Sequence, residues 1–500
     1  MIDNLVARPV VPPAARPSAT RPVRAWPGPQ QMALAVTGLF FVLYALLSVR
    51  RHERMLSAAY DLGIFEQAVR AYAHGRAPVA ELKGPGFNLL GDHFHPVLAL
   101  LAPAYRLFPT SVTLLVAQAA LMALACFPLT RWAHRTAGPA AGLVIGCAVG
   151  CSWGIVSAVS FDFHEICFAV PLLAFSVEAL AGRRWRAAVL WALPLLLVKE
   201  DLGLTLAAIG AYTAWYGRRG RAGWLGPAVV VLGLTATVVE MAVLLPLANP
   251  HGVFDYWHQL PGVAGSGTVG SGSSGGSVLL LPLRLGWPPV KWLLFAMLAA
   301  PTAFVGLRSP LTLLCAPTLL WRLLADNVHY WQPSYHYSAV LMPILFAGLI
   351  DVLGRRPELC LPVRLKRVLA GVAAFAVLST AVYPLHELVL PSTWRIPAHV
   401  RTAHRLLDAI PDGASVASSN RLAPLLVHRT TVSLVCREDG PHAAAPPDWV
   451  VADRTDPTVK SPCAAAVTAR MLDTYRAAGY LTVADEDGIT VLRRPSDLRR

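Results

Sequence analysis

Apolar runs long enough to cross a bilayer recur along this chain, and the loops between them alternate between arginine and clusters of acids and histidines. Stretches of about 17 to 25 apolar residues match a hydrocarbon core roughly 30 Å thick, where a helix satisfies its own backbone hydrogen bonds. Such runs lie at 32–49, 97–131 (amphipathic at first, spanning from about 112), 139–159, 166–181, 186–199, 202–217, 224–247, 290–307, 310–325, 337–353 and 367–386. They predict an all-α polytopic membrane protein with about eleven transmembrane helices. With 55% hydrophobic residues, 14% charged residues and a mean hydropathy of +0.50, a soluble globular chain is excluded.

The net charge of +14 does not point to nucleic acid, because the basic residues are spread through short interhelical loops. Residues 1–31 are Pro- and Arg-rich and predict a disordered tail, followed by an uncleaved anchor. A cytoplasmic N-terminus puts Arg131/Arg135, Arg183/Arg184/Arg186, Arg218/Arg219/Arg221, Arg308 and Arg355/Arg356/Arg364/Lys366/Arg367 on the cytoplasmic side. That assignment uses only basic residues, yet it also brings every acid and histidine cluster to the outer face. Only five of the 43 basic residues are lysine, which with the Ala and Pro richness suggests a high-GC bacterial genome; a multi-pass chain is then expected in the bacterial plasma membrane.

Two outer loops result, at 50–96 and 248–289, within a membrane domain at 32–389. The second carries a Gly/Ser tract at 265–276, which is either a plain linker or a substrate-gating loop. Residues 390–500 form a small extracytoplasmic α/β domain: strands are predicted near 414–417, 431–435, 449–453 and 489–492, and helices near 398–409 and 464–478. An odd number of spans puts this domain outside, where Cys436 and Cys463 are able to pair. Cys126, Cys147, Cys151, Cys167 and Cys315 read as packing residues.

The clusters carry the chemistry. Lys199-Glu200-Asp201 joins two apolar stretches too short to reach the outer surface, so the turn is predicted to be recessed, as a functional site or as an internal Lys199 pair with Glu200 or Asp201. Asp61 follows the first span, with Glu66 just beyond; an Asp there is a proton acceptor for a hydroxyl nucleophile or simply a helix cap. Asp92, His93 and His95, and Asp162, His164 and Glu165, suit a divalent cation such as Mg, Mn or Zn, contacts to phosphate or sugar, or plain interface hydrogen bonding. Trp331, Tyr335 and His336 belong to an aromatic loop that either stacks on a sugar ring or marks the bilayer interface.

The runs Tyr60-Asp61-Leu62-Gly63-Ile64-Phe65-Glu66-Gln67 and Gly91-Asp92-His93-Phe94-His95-Pro96 resemble the bacterial membrane family DUF2079, as do Ala102-Pro103-Ala104-Tyr105, Lys199-Glu200-Asp201 and Tyr335-His336-Tyr337. The resemblance spans most of 35–385. More distantly, the layout is similar to the GT-C glycosyltransferases, such as protein mannosyltransferases and aminoarabinose transferases. That similarity implies a polyprenyl-phosphate sugar donor, a soluble outer domain and a first-loop acid as general base, at the position of Asp61; the family's adjacent acidic pair is replaced here by Asp61-Leu62. The function expected is sugar transfer at the outer face, with His93, His95 and Lys199 stabilising phosphate charge and Trp331, Tyr335 and His336 lining the sugar pocket. The alternatives are a transporter or lipid-handling protein and a non-catalytic envelope scaffold.

Overall fold

The computed structural model describes residues 26–218, 223–254, 256, 281–325, 327–437, 445–456 and 462–496. Most of the expected tail (1–25) and the Gly/Ser tract at 265–276 lie outside the described residues. The chain is mainly helical. Helix α1 (Pro29–Glu53) starts three residues before the expected span, because Pro29 suits a first turn and the Gln31 side chain accepts the Gly28 N–H at 3.2 Å. Arg50 and Arg51 lie in its last turn, where cations favour the negative end of the helix dipole.

Beyond α1, a wide five-residue turn (Ala59–Gly63) carries Asp61 into the short helix α2 (Ile64–Ala73), which α3 (Ala102–Leu107) packs against. The 50-residue apolar stretch Ser111–Ser160 comprises α4 (Ser111–Leu124), α5 (Cys126–Gly150) and α6 (Trp153–Ser160). It doubles back inside α5 at Ala137-Gly138-Pro139. Gly138 takes φ +87°, a conformation that costs an L-residue dearly, and Pro139 lacks the N–H that would continue the helix. Thr130 then faces Gly146 and His134 faces Gly142, the register of an antiparallel hairpin.

Next come α7 (Ala169–Ala181), α8 (Trp185–Ala192), α9 (Leu202–Gly217), α10 (Leu225–Val239) and α11 (Leu245–Ala248). Helices α9 and α10 approach closely through glycines seven apart, Gly203 and Gly210 on one, Gly226 and Gly233 on the other. The bundle continues with α12 (Leu281–Gly286), α13 (Val290–Ala299), α14 (Ala316–Leu324), α15 (Leu341–Arg355) and α16 (Pro362–Val382). The span holding α15 is 89% buried and runs through the centre, whereas α16 is 17% buried and lies at the edge.

Among the described residues, five stretches are long and apolar enough to cross a membrane: Pro29–Glu53, Ser111–Ser160, Leu225–Ala248, His336–Arg355 and Pro362–Val382. Several other expected spans occur as shorter apolar helices, including Trp185–Leu197, Val290–Thr302 and Pro310–Leu324. Proline is the physical reason. Pro194, Pro301 and Pro310 each sit in a tight 3₁₀ turn that replaces part of the expected α-helix.

The C-terminal part begins with α17 (Ala398–Leu407) and builds one mixed sheet from β1 (Ser415–Ser418), β2 (Thr431–Leu434), β3 (Trp449–Asp453), β4 (Leu481–Glu486) and β5 (Ile489–Arg493), with α18 (Ala465–Ala477) before β4. The strand order is β2-β1-β3-β5-β4; β1 pairs in parallel with β2 and β3, and β5 pairs antiparallel with β3 and β4. Strand β4 escaped the sequence reading because it is an exposed edge with no buried alternating face. Cys436 and Cys463 are joined by a disulfide, their Cα atoms 5.5 Å apart.

Candidate functional site

The sheet sits directly on the turn that carries Asp61. Ala59 N–H donates to both the carbonyl and the Oδ1 of Asn420, at 3.0 and 2.9 Å. Gln67 donates to Val432 O at 2.8 Å, and Arg70 donates to Val427 O and Thr430 O at 2.7 and 2.6 Å. Asn420 and its neighbour Arg421 therefore help wall a cavity of about 960 Å³, whose other walls are the first loop and the ends of the helices.

Of the residues singled out from sequence, Asp61, Asp92, His93, Asp162, His164, Glu165, Lys199, Glu200, Asp201, Tyr335 and His336 all line this one cavity. Their ion pairs cross between elements. Lys199 Nζ meets Glu165 Oε1 at 3.1 Å, not Glu200 or Asp201 as a turn-internal pair would require. Glu200 accepts instead from His93 Nδ1 at 2.7 Å and from Phe94 N–H at 3.1 Å, and Asp201 accepts the Trp321 indole N–H at 2.9 Å. The triplet thus ties three separate elements together.

At the first loop, Asp92 pairs with Lys83 at 3.0 Å and accepts from Tyr256 OH at 3.1 Å. Burial would raise the Asp92 carboxyl, but His93 and Lys83 outweigh it and hold the group below the usual carboxylate value. Burial and Lys199 press the His93 imidazole down, yet Glu200 and Asp92 carry it above the ordinary histidine value. Asp61 Oδ1 lies 3.1 Å from His164 Nε2, and the His164 ring stacks on His336 with centroids 3.7 Å apart. Asp162 adopts φ +62°, a strained conformation for a residue with a side chain, and its Oδ2 accepts Ala58 N–H at 2.7 Å. Burial, reinforced by Asp61, raises the Asp162 carboxyl to about 7.

Three expected site residues stand outside the cavity wall. Glu66 is fully buried and accepts from Tyr105 OH at 2.9 Å and Ser111 Oγ at 2.6 Å, so it anchors the first loop. His95 is buried edge-on against Phe65, and burial lowers it to about 4. Trp331 is buried too, donating to Arg322 O at 2.8 Å under the Lys291 ammonium, 4.1 Å from its ring. Each belongs to a motif whose neighbour reaches the cavity; helix and loop direction turned these side chains inward, which linear spacing does not reveal.

Sequence reasoning passed over Arg51, Lys83, Trp321, Asn420 and Arg421, all on the cavity wall. Lys83 had a readable signal, being one of only five lysines. Gln118 was also missed: from α4 its amide donates to Asp162 O and accepts His164 N–H at 2.9 Å, holding the Asp162–His164 turn in place. Among the described residues no three His, Cys, Asp or Glu side chains are grouped as for a metal ion. The aromatic wall of Tyr60, Phe161, Tyr330, Tyr335 and Tyr337, with cations and carboxylates between, suits a ligand with an apolar or sugar face and a charged group.

Solved structures share this fold, two forms of one protein among them. ArnT from Cupriavidus metallidurans bound to undecaprenyl phosphate aligns with a TM-score of 0.54 at 14% identity, over 94% of this chain and 99% of that one. The apo form of the same protein gives 0.51 at 15% identity, over 93% and 98%. No curated protein matches by sequence. The family model described as predicted membrane protein (DUF2079) matches residues 51–491, and the chain belongs to that family.

Proposed function

We propose that this protein transfers a sugar from a polyprenyl-phosphate donor to a hydroxyl acceptor at the outer face of a bacterial plasma membrane. The reading places the N-terminus in the cytoplasm and residues 390–500 outside, where a Cys436–Cys463 disulfide would persist. One observation carries it: Asp61, Lys83 and Lys199 share a single cavity with an aromatic wall, in a fold held in common with ArnT, one structure of which binds undecaprenyl phosphate.

In the step proposed, the acceptor hydroxyl attacks the anomeric carbon and passes its proton to Asp61. The new C–O bond forms as the anomeric bond to phosphate breaks, and the electron pair leaves on the phosphate oxygen, opposite the nucleophile. Lys83 and Lys199 stand to stabilise that charge; each is already held by a carboxylate, so each is ordered before substrate arrives. Tyr335 and His336 would face the sugar. Membranes containing the protein are to be given labelled undecaprenyl-phosphate hexoses and pentoses. Asp61→Asn is expected to lower transfer by about 10²- to 10⁴-fold, the range of a lost general base, and Lys199→Ala is expected to lower it as well. Undiminished transfer in both variants would sink this mechanism.

A further inference from the structure

We propose that His164 is a positioning residue for Asp61: its imidazole carries the proton on Nε2, which donates to the carboxylate, and leaves Nδ1 bare. The inference rests on the reading of Asp61 as the base. His164 Nε2 lies 3.1 Å from Asp61 Oδ1, while His164 Nδ1 is buried with no hydrogen-bond partner among the described residues. A buried N–H without an acceptor is rarely tolerated, whereas an unmet lone pair is the lesser cost. The proton therefore sits on Nε2 and donates to the carboxylate. An imidazolium would add a second N–H at Nδ1 with nothing to receive it.

The surroundings argue the same way. His336 stacks on His164 at 3.7 Å and 29°, its own Nδ1 buried and without a hydrogen-bond partner among the described residues. Phe161 covers His164 at 5.5 Å and Phe65 meets its edge at 5.9 Å, so little water reaches the ring. A neutral donor fixes one carboxylate oxygen and leaves the other for the acceptor hydroxyl; the Asp61 side chain retains 24% exposure towards the cavity.

The test uses the full chain labelled with ¹⁵N-histidine in lipid nanodiscs near neutral pH, with the His164 signals identified from their loss in His164→Gln. The expected spectrum is a neutral Nε2–H tautomer whose ring shifts move in Asp61→Asn. An Nδ1–H tautomer, an imidazolium, or signals indifferent to Asp61→Asn would overturn the assignment. Transfer from labelled undecaprenyl-phosphate sugars supplies the second arm. His164→Gln, whose amide still donates, should retain activity within about tenfold, while His164→Ala loses about a hundredfold in kcat with KM little changed. Equal losses in the two variants would also overturn it. Absence of transfer by the unmodified protein counts against the proposed function, and the tautomer is still decided by the spectrum.

Discussion

Glu66 is a candidate substrate-binding acid in sequence, and in the structure it is buried beside the first loop, off the cavity wall. Burial raises its carboxyl from the usual 4.5 to about 7, against the lowering effect of its bonds from Ser111 and Tyr105. Ser111 explains why a protonated Glu66 fits: its single hydroxyl proton faces both Glu66 Oε2 and Pro424 O, at 2.6 and 3.0 Å. A protonated Glu66 donates to Ser111 Oγ, freeing that proton for Pro424. Because the folded state keeps a proton that the unfolded chain releases, stability is full below the usual carboxyl value, falls as pH rises towards about 7, and levels off above it. The loss amounts to about 3 kcal/mol. Glu66→Gln, which can still donate to Ser111, should melt well above the parent protein near pH 8 and close to it near pH 5, by thermal unfolding in detergent. Equal shifts at both pH values would contradict this account.

Helices α9 and α10 show how much rests on residues without side chains. A Cβ on Gly210 would come within 2.7 Å of Val230 N and 2.9 Å of Gly226 O, both backbone atoms that cannot step aside. Gly38, on α1, has no atom of the described residues outside its own helical turn within 4 Å of its Cβ position. Gly210→Val should therefore lower stability by about 1–3 kcal/mol, the cost of overpacking, while Gly38→Val stays within about 0.5 kcal/mol, as for an unconstrained surface site. Thermal melts of the two purified variants make the comparison. Matching melting temperatures would show that the helices part without cost. Element boundaries were largely legible for these helices, since glycine and proline punctuate them. Where the reading erred, as at Pro194 and Pro310, the residues were visible but their use in 3₁₀ turns was not.

At the scale of the whole molecule, the C-terminal sheet and the membrane bundle meet around Asp61, so the sheet's stability bears on the cavity. The Cys436–Cys463 disulfide closes a loop with a sequence separation of 27, which corresponds to about 3.5 kcal/mol in the chain-entropy account. Cys436→Ser should lower the melting of the C-terminal part by that order and make the Asp61 turn more accessible to protease, read by limited proteolysis with mass spectrometry. An unchanged cleavage pattern would mean that the sheet does not hold the turn. Sequence by itself determined that the chain is a helical membrane protein with a small C-terminal sheet, because apolar run length and strand alternation are local properties of a polymer in lipid or water. It also brought most of the cavity's acids, bases and histidines into view, since ionisable groups next to apolar runs are costly and therefore conspicuous. Only the tertiary structure decided the partners: Lys199 with Glu165, His93 with Glu200, Asp61 with His164, and Asn420 over the Asp61 turn. Those pairings join residues 34 to 361 positions apart, and the direction in which each side chain leaves its helix or loop, not its place in the sequence, determines which of them meet.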